Sequence, residues 1–280
     1  TWVSFNVNDE RFNRLNNLTK DLVLNTGNLF QSYAPALLDV YQYDELNPSE
    51  SSWNGTISSN GGITSDKMYK IKLSSPQNFN IKGIPVDLKT WFFDVSQNWN
   101  WLPYVVSKNT PIGEALANLN ATEGDFIKSQ SLFASFSSSV GWKGSLTYLK
   151  AGEGYMLRSN SAQRFTYPDY LNQTSAKNSF IKSNKKGDIE DDILPYQYAQ
   201  FPNTMSIIAK LPDGFENLYF YNDMGQLKGN ATTQDVNGNN LAFITVYGDK
   251  PEKLIAYIGS GNTKQVTNKL FSFSTDAIMG

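Results

Sequence analysis

The stretch that decides the fold contains three motifs in order: Gly124-Asp125-Phe126-Ile127-Lys128-Ser129-Gln130, then Gly141-Trp142-Lys143-Gly144-Ser145-Leu146, then Gly152-Glu153-Gly154-Tyr155-Met156-Leu157. Aromatic residues and glycines alternate in it at the spacing of short strands joined by tight turns. A more diverged copy of the same residues comes earlier in the chain. The order of these motifs, rather than any one of them, predicts the architecture.

The repeat is recognised by pairs of matching residues that keep their order along the chain. These pairs are Trp2 with Trp101, Gly27 with Gly124, Trp53 with Trp142, and Tyr69 with Tyr155. The separation within a pair falls from 99 residues (101 − 2) to 86 residues (155 − 69) along the chain. An ordered decrease indicates a duplication whose second copy has shorter loops.

Each copy is predicted to be a small antiparallel β module with one short helix. In the second copy Thr110 suits the N-cap and Pro111 the first helical position. The apolar residues Ile112, Ala115, Leu116 and Leu119 then follow at helical spacing. In the first copy Asp9 is the corresponding candidate cap, with Phe12, Leu15 and Leu18 on one face.

The last part of the chain has the strand and turn spacing of a β-sandwich. Strands are predicted at 205–209, 218–221, 241–247, 254–258 and 270–273, with further strands near 228–232 or 264–267. The predicted fold is therefore mainly β: two tandem antiparallel modules (1–89 and 90–170), a charged linker (171–200) and a β-sandwich (201–280).

The composition excludes several classes of protein. The chain has neither cysteine nor histidine, so disulfides, zinc sites built from these residues and imidazole-assisted nucleophiles are ruled out. A net charge of −2 predicts no nucleic-acid partner. No apolar run is long enough to span a membrane as a helix. No signal peptide is recognised, and we expect a mature or excised segment of a larger protein.

The repeated motifs resemble a repeat of very large exported proteins from Bacteroidetes-type bacteria. That repeat has the pattern Trp-x-x-Ser-Phe-Asn-Val, Gly-Asp-x-Ile-Lys-x-Gln, Gly-Trp-x-Gly-Ser-Leu and Pro-Gly-x-Gly-Tyr-Met. The segments similar to it are 2–7, 124–130, 141–146 and 151–156. The first copy departs from the pattern, since its Gly-Asp is Gly27-Asn28 and Lys67-Met68-Tyr69 stands where the last motif has Gly-x-Gly-Tyr.

The C-terminal part resembles the β-sandwich that commonly follows this repeat, through segments 205–209, 227–231 and 243–248. The two resemblances imply an extracellular protein that is displayed at the cell surface and acts there in binding or scaffolding. The expected partners are other surface proteins, copies of the same chain, or a surface glycan. No enzymatic activity is implied.

Two tryptophans are the candidate ligand-binding residues. Trp53 and Trp142 occupy equivalent places in Ser/Gly-rich loops, where an exposed indole could stack on a sugar ring. The alternative, which we favour, is a core position that closes a turn. Trp101 is also expected in the core, while Trp99 and Trp91 are expected to fill the interface between the two copies.

The charged run in the linker is the candidate metal site. Its carboxylates, Asp188, Glu190, Asp191 and Asp192, could bind calcium at a junction between modules, although a solvated linker is the simpler interpretation. A second loop begins like a calcium loop at Asp235, but Asn237-Gly238 there is better explained as a hairpin turn. No other cofactor is expected.

Two functions are consistent with these features. The first is a non-catalytic segment of a large exported protein that acts in adhesion, display or structural assembly. The second is a carbohydrate-binding appendage of a secreted polysaccharide-degrading enzyme.

Overall fold

The structure, a computed structural model, describes residues 1–13, 18–34, 37–43, 53–57, 62–172, 203–261 and 263–279. These residues form a mainly β protein in which nearly all strand pairs are antiparallel. The strands are β1 (Trp2–Ser4), β2 (Val7–Asn8), β3 (Leu29–Ala34), β4 (Leu37–Tyr43), β5 (Trp53–Gly55), β6 (Met68–Lys72), β7 (Ile84–Pro85), β8 (Phe93–Val95), β9 (Asn98–Pro103), β10 (Thr110–Pro111), β11 (Phe126–Lys128), β12 (Phe133–Ser137), β13 (Gly141–Gly144), β14 (Tyr148–Leu149), β15 (Gly154–Ser159), β16 (Gln163–Phe165), β17 (Asn203–Lys210), β18 (Asn217–Asn222), β19 (Leu227–Val236), β20 (Asn239–Gly248), β21 (Lys253–Ser260), β22 (Thr263–Ser272) and β23 (Ile278–Met279).

Two five-stranded sheets have the same strand order. The first sheet runs β1-β6-β3-β4-β5 and the second β9-β15-β11-β12-β13. In each sheet the strand that is last in chain order lies between the first and second strands of that sheet: β6 lies between β1 and β3, and β15 lies between β9 and β11. The two segments that carry the repeated residues therefore share one connectivity.

Matching hydrogen bonds hold the equivalent turns of the two sheets. The Asn25 N–H donates to Oδ1 of Asn28 at 3.2 Å, and the Thr122 N–H donates to Oδ2 of Asp125 at 2.9 Å. The side chains of Asn28 and Asp125 thus both accept a hydrogen bond from the backbone N–H three residues earlier, which is the turn-forming role that Asn and Asp share. The exchange of Asp for Asn in the first copy preserves this turn.

The two equivalent tyrosines are also held in the same way. The hydroxyl of Tyr69 accepts from the Thr64 N–H at 2.8 Å, and that of Tyr155 accepts from the Lys150 N–H at 2.6 Å. In both cases the donor lies five residues earlier. Burial raises the pKa of Tyr155 far above its usual range, so its hydroxyl stays protonated and hydrogen-bonded.

The helices are shorter than the sequence predicts. In the second copy α1 (Ile112–Ala115) is a single turn that ends at Leu116, whose φ of −98° and ψ of 19° leave the helical region. Thr110 lies in β10 and Pro111 is the N-cap, so the helix starts one residue later than expected. The apolar spacing is satisfied without a longer helix, because Ile112, Ala115, Leu116 and Leu119 are all buried.

In the first copy the expected helix is a 3-10 turn, Glu10–Asn13. Asp9 caps it as predicted, since its Oδ1 accepts from the Arg11 N–H at 2.9 Å. The Arg11 guanidinium also binds this carboxylate and lowers the pKa of Asp9. Leu15 lies outside the described residues. A second 3-10 turn, Asp169–Asn172, follows β16.

Seven strands form the C-terminal region, in the order β22-β21-β18-β19-β20-β17-β23. We call residues 203–279 the seven-strand region. The strands predicted at 205–209, 218–221, 241–247 and 254–258 are β17, β18, β20 and β21, and the further strand near 228–232 is β19. The segment 264–267 and nearly all of 270–273 belong to one strand, β22, and β23 was not predicted. β19 changes partner along its length: 227–232 pair with β18 and 233–236 with β20. The apolar core of the region is Met205, Ile207, Leu211, Leu218, Phe220, Ala242, Ile244, Val246, Leu254, Ala256 and Phe273.

Contacts divide the chain into two compact units. One comprises 1–130, 135–142 and 146–176, and the other comprises 131–134, 143–145 and 177–280. Both predicted repeat modules thus fall largely in the first unit, and the domain boundaries drawn from the sequence stay a prediction. In the part of the chain that the structure describes, no helix has the length and apolar character needed to cross a membrane.

Candidate functional site

Trp53 is a core residue rather than an exposed platform. Its side chain is 2% exposed, and its ring meets Phe30 edge-on with centroids 5.1 Å apart. Its Nε1–H donates to Oγ1 of Thr19 at 3.1 Å. An indole enclosed in this way offers no face to a sugar ring. Trp53 therefore occupies a core position, the second of the two interpretations drawn from the sequence.

Trp142 differs from Trp53 although the two positions are equivalent in the repeat. Its indole is half-buried, and it packs edge-on against the half-buried ring of Phe136, with centroids 5.4 Å apart. The neighbouring Lys143 is exposed, and Ser137 and Ser139 hydrogen-bond to each other at 3.0 Å nearby in the chain. Trp142 is therefore partly accessible to solvent, and its role as a ligand-binding residue stays a prediction.

The linker carboxylates Asp188, Glu190, Asp191 and Asp192 lie outside the described residues, so the calcium site proposed for them stays a prediction. At the second loop Asn237 and Gly238 have φ values of 53° and 74°, as a two-residue hairpin turn requires. The Gly238 N–H donates to Oδ1 of Asp235 at 3.1 Å. Among the described residues there is no cluster of three or more acidic side chains suited to a metal ion.

Tryptophans and lysines from the two five-stranded sheets meet in one cluster, which we call the Lys–Trp junction: Trp2, Lys70, Trp99, Trp101 and Lys128. Lys70 Nζ lies 5.0 Å from the ring centroid of Trp2 and 4.7 Å from that of Trp101. Lys128 Nζ lies 5.8 Å from the ring centroid of Trp2 and 5.4 Å from that of Trp99. These distances are within the range of cation–π attraction.

The contacts in the junction are reciprocal. Lys70 of the first sheet reaches Trp101 of the second, and Lys128 of the second reaches Trp2 of the first. Strand register explains the arrangement, because Trp2 lies opposite Lys70 in one sheet and Trp101 opposite Met156 in the other. Each sheet supplies one lysine to the other sheet's indole.

Burial makes the Lys128 contact unusual. The residue is 2% exposed, whereas lysine is seldom fully buried without partners that compensate its charge. The junction is lined with the apolar side chains Met68 and Met156, against which Trp99 and Trp101 pack. Trp99 thus occupies the interface between the copies as expected. Trp101 is half-buried there, and Trp91 instead stacks on Tyr167 with centroids 5.1 Å apart.

Backbone contacts continue the junction beyond the side chains. Val3 bridges to Glu153, and the Ser4 N–H donates to the Gly152 carbonyl at 3.1 Å. The Tyr104 N–H donates to Oγ of Ser4 at 2.9 Å. The first strand of the first copy is therefore hydrogen-bonded to the second copy, which fixes how these two sheets meet.

We expect Lys70 and Trp101 to be energetically coupled. Lys70→Met and Trp101→Leu, made singly and together, should show a stabilising coupling of about 0.5–2 kcal/mol in urea unfolding. Either single change already removes the half-desolvated cation–π contact, so the double variant should lose less unfolding free energy than the sum of the two single losses. The matched control is a second cycle that combines Lys89→Met with Trp101→Leu. Lys89 is exposed, and this cycle should show no coupling. Additive single changes at Lys70 and Trp101 would contradict a reciprocal junction.

A second cluster of aromatic side chains lies on the outer surface of the seven-strand region. We call it the tyrosine face: Tyr219, Tyr221, Tyr257 and Lys264. Along β18 the buried Leu218 and Phe220 alternate with the tyrosines, which therefore point away from the core. Tyr257 lies opposite Tyr219 in β21, and the Tyr221 and Tyr257 rings meet edge-on with centroids 5.3 Å apart.

Lys264 lies across this aromatic surface. Its Nζ is 3.9 Å from the ring centroid of Tyr219 and donates to the hydroxyl of Tyr221 at 3.0 Å. The hydrogen bond to Tyr221 raises the pKa of Lys264, which keeps it charged. A depression of about 380 Å³ lies beside it and is lined in part by Asp223 and Tyr257. Rings, hydroxyls, a cation and a carboxylate thus meet on one half-exposed surface.

The sequence analysis did not predict the tyrosine face, because it looked for ligand-binding aromatic residues among the tryptophans in predicted loops. The alternation of Leu218, Tyr219, Phe220 and Tyr221 was visible in the sequence, and it could have marked one aromatic face outside the core. Tyr257 and Lys264 could not have been added, because their proximity depends on the pairing of three separate strands.

Comparisons of this chain with models of protein families, with curated proteins and with solved structures found no match. The resemblance to exported surface repeats therefore stays a prediction from the motifs themselves.

Proposed function

We propose that this chain is a non-catalytic, extracellular segment of a large exported protein that acts at the cell surface in adhesion, display or structural assembly. Its architecture in this proposal is two tandem β modules followed by a β-sandwich. The partners would be other surface proteins, copies of the same chain or a surface glycan.

The observation that carries the proposal is the shared strand order of the two five-stranded sheets, together with the junction that joins them. A repeated module gains stability from contacts between neighbours, and such arrays serve as extended scaffolds and binding surfaces. Here the neighbours exchange lysine–indole contacts and backbone hydrogen bonds, which in this proposal hold the pair as one rigid segment. Rigidity of this kind suits a protein that holds other domains away from a surface.

Surface location can be tested on intact cells. Antibodies raised against this chain should label unpermeabilised cells of the source organism, and brief protease treatment of those cells should remove the signal. A cytosolic protein serves as the control and should be labelled only after permeabilisation. Labelling of the chain only after permeabilisation would contradict an extracellular role.

The carbohydrate-binding appendage is the second candidate, and the tyrosine face favours it. Half-exposed aromatic rings beside hydrogen-bonding groups are suited to stack on sugar rings and to bind their hydroxyls. Tyr219, Tyr221 and Tyr257 provide the rings, and Lys264 and Asp223 provide charged partners at the same surface.

We expect loss of glycan binding when this surface is truncated. If the intact chain binds a polysaccharide in affinity electrophoresis or on a glycan array, Tyr257→Ala should weaken binding at least about tenfold, which corresponds to about 1.4 kcal/mol. The melting temperature should change little, because the ring is half-exposed. Tyr170→Ala is the matched control, since Tyr170 is exposed and lies outside this surface.

The same experiment separates the two candidate sites. Trp142→Ala should leave this binding unchanged if the tyrosine face is the glycan site. Loss of binding in Trp142→Ala, with Tyr257→Ala unaffected, would move the site to the second repeat.

A further inference from the structure

A buried lysine, a buried asparagine and a glutamate meet beside the turn between β18 and β19. Lys228 and Asn222 are each 2% exposed. Lys228 Nζ lies 2.7 Å from Oε1 of Glu252, and Asn222 Nδ2 donates to Oε2 of the same carboxylate at 3.1 Å. One carboxylate therefore has the lysine amine in ion-pair contact at Oε1, which is buried and makes no hydrogen bond, and the hydrogen-bonded amide of Asn222 at Oε2.

A β-bulge brings the lysine to this position. Tyr221 pairs with Leu227 and Phe220 with Gly229, and the register shifts between these pairs at Lys228. Gly229 lies so close to β20 that a Cβ there would come within 2.4 Å of the Thr245 carbonyl oxygen. The strand is thus held firmly on both sides of the lysine, whose long side chain is directed inwards.

The asparagine amide is also fixed in orientation. Its Oδ1 accepts from the Gln226 N–H at 2.9 Å, and its Nδ2 donates to Oε1 of Gln226 at 3.0 Å as well as to Glu252. The Gln226 N–H therefore binds Asn222 Oδ1, the atom on which negative charge would develop if a nucleophile attacked Asn222 Cγ. Backbone donors in such positions stabilise tetrahedral intermediates.

We propose that Lys228 and Asn222 form an intramolecular amide bond, with Glu252 as the proton-transfer group. Glu252 contacts both the amine and the amide, and groups held on one carboxylate in this way can react although they are unreactive in water. The bond would close the β18–β19 turn covalently.

The reaction balances without any further reagent. A proton passes from Lys228 Nζ to Glu252 Oε1, and the neutral amine attacks Asn222 Cγ, placing the negative charge on Oδ1. Glu252 gives its proton to Nδ2 and receives one from Nζ. The bond from Cγ to Nδ2 then breaks, the carbonyl reforms, and ammonia leaves. The products are a secondary amide, ammonia and a protonated carboxyl group.

Burial favours these products over the starting groups. An ion pair taken out of water carries a desolvation cost that its mutual attraction only partly offsets. The reaction replaces the ammonium and carboxylate by neutral groups. No charge is then left in the buried site.

Mass spectrometry of the full chain tests the proposal directly. The denatured protein should be lighter than its sequence mass by one ammonia molecule. Trypsin should fail to cleave after the modified Lys228, so a peptide that continues to Lys253 should appear, also lighter by one ammonia. A wild-type protein at its full sequence mass, with normal cleavage after Lys228, would overturn the proposal.

Variants separate the amide bond from another loss of ammonia, the cyclisation of Asn222 onto its own backbone. Lys228→Arg keeps a cation beside Glu252 but supplies no amine, so its mass should be the full sequence mass. Glu252→Gln removes the proton carrier and should also leave the full mass. A missing ammonia that persists in Lys228→Arg would show a succinimide at Asn222 and would overturn the cross-link.

Discussion

Truncation of Trp53 should destabilise the protein by about 3–5 kcal/mol, the range found when large aromatic side chains are removed from packed cores. Trp53→Ala leaves a cavity beside Phe30 and removes the hydrogen bond to Thr19. Urea unfolding followed by circular dichroism measures the loss of unfolding free energy.

Trp142 supplies the matched control, because the repeat places it at the equivalent position. Its ring is half-buried, so Trp142→Ala should cost about 1 kcal/mol, as changes at partly exposed sites usually do. Equal losses for the two variants would contradict the difference in burial. A loss below 1 kcal/mol at Trp53 would contradict its place in the core.

Substitution of Gly144 by alanine should have the second large effect, a loss of about 3–4 kcal/mol or failure to fold. A Cβ at this position would lie 2.2 Å from the carbonyl oxygen of Phe133 and 2.7 Å from Cα of Ala134. Both obstacles are backbone atoms, so no side-chain rotation can relieve the contact. The strands β12 and β13 must then separate, which adds to the cost of the left-handed φ of +157°.

Gly141→Ala is the control for Gly144→Ala. Gly141 lies in the same strand and has a φ of +73°, but a Cβ there meets no atom within 4 Å. Its replacement should cost only the backbone strain, about 1–2 kcal/mol. Thermal unfolding of both variants measures the difference. Equal melting temperatures would show that steric contact at Gly144 is not limiting.

Local patterns predicted much of the fold. Alternating apolar residues predicted the strands of the seven-strand region, since side-chain direction in a strand repeats every second residue. Matching turn residues such as Gly27 and Gly124 predicted two segments with the same elements in the same order. Both glycines have a left-handed φ, +92° and +84°, which explains why this residue recurs there.

Helix length and metal sites were less accessible to such reasoning. The apolar spacing from Ile112 to Leu119 fits a helix, but it fits equally a single helical turn followed by further turns with the same residues buried. Periodicity reports which side chains face the core and not which backbone hydrogen bonds form. The linker carboxylates were visible as a charge run, yet charge alone does not place ligands around a cation.

The sequence by itself determined the β class of the chain, the order of its repeated elements, the turns at glycine and asparagine, and the chemistry excluded by the lack of cysteine and histidine. These properties depend on residues close together in the chain. The tertiary structure alone decided that Trp53 is enclosed while Trp142 is half-exposed, that Lys128 lies beside the indole of Trp2, and that Glu252 joins Lys228 to Asn222. Such contacts link residues on different strands, and they depend on which strands pair and which faces meet.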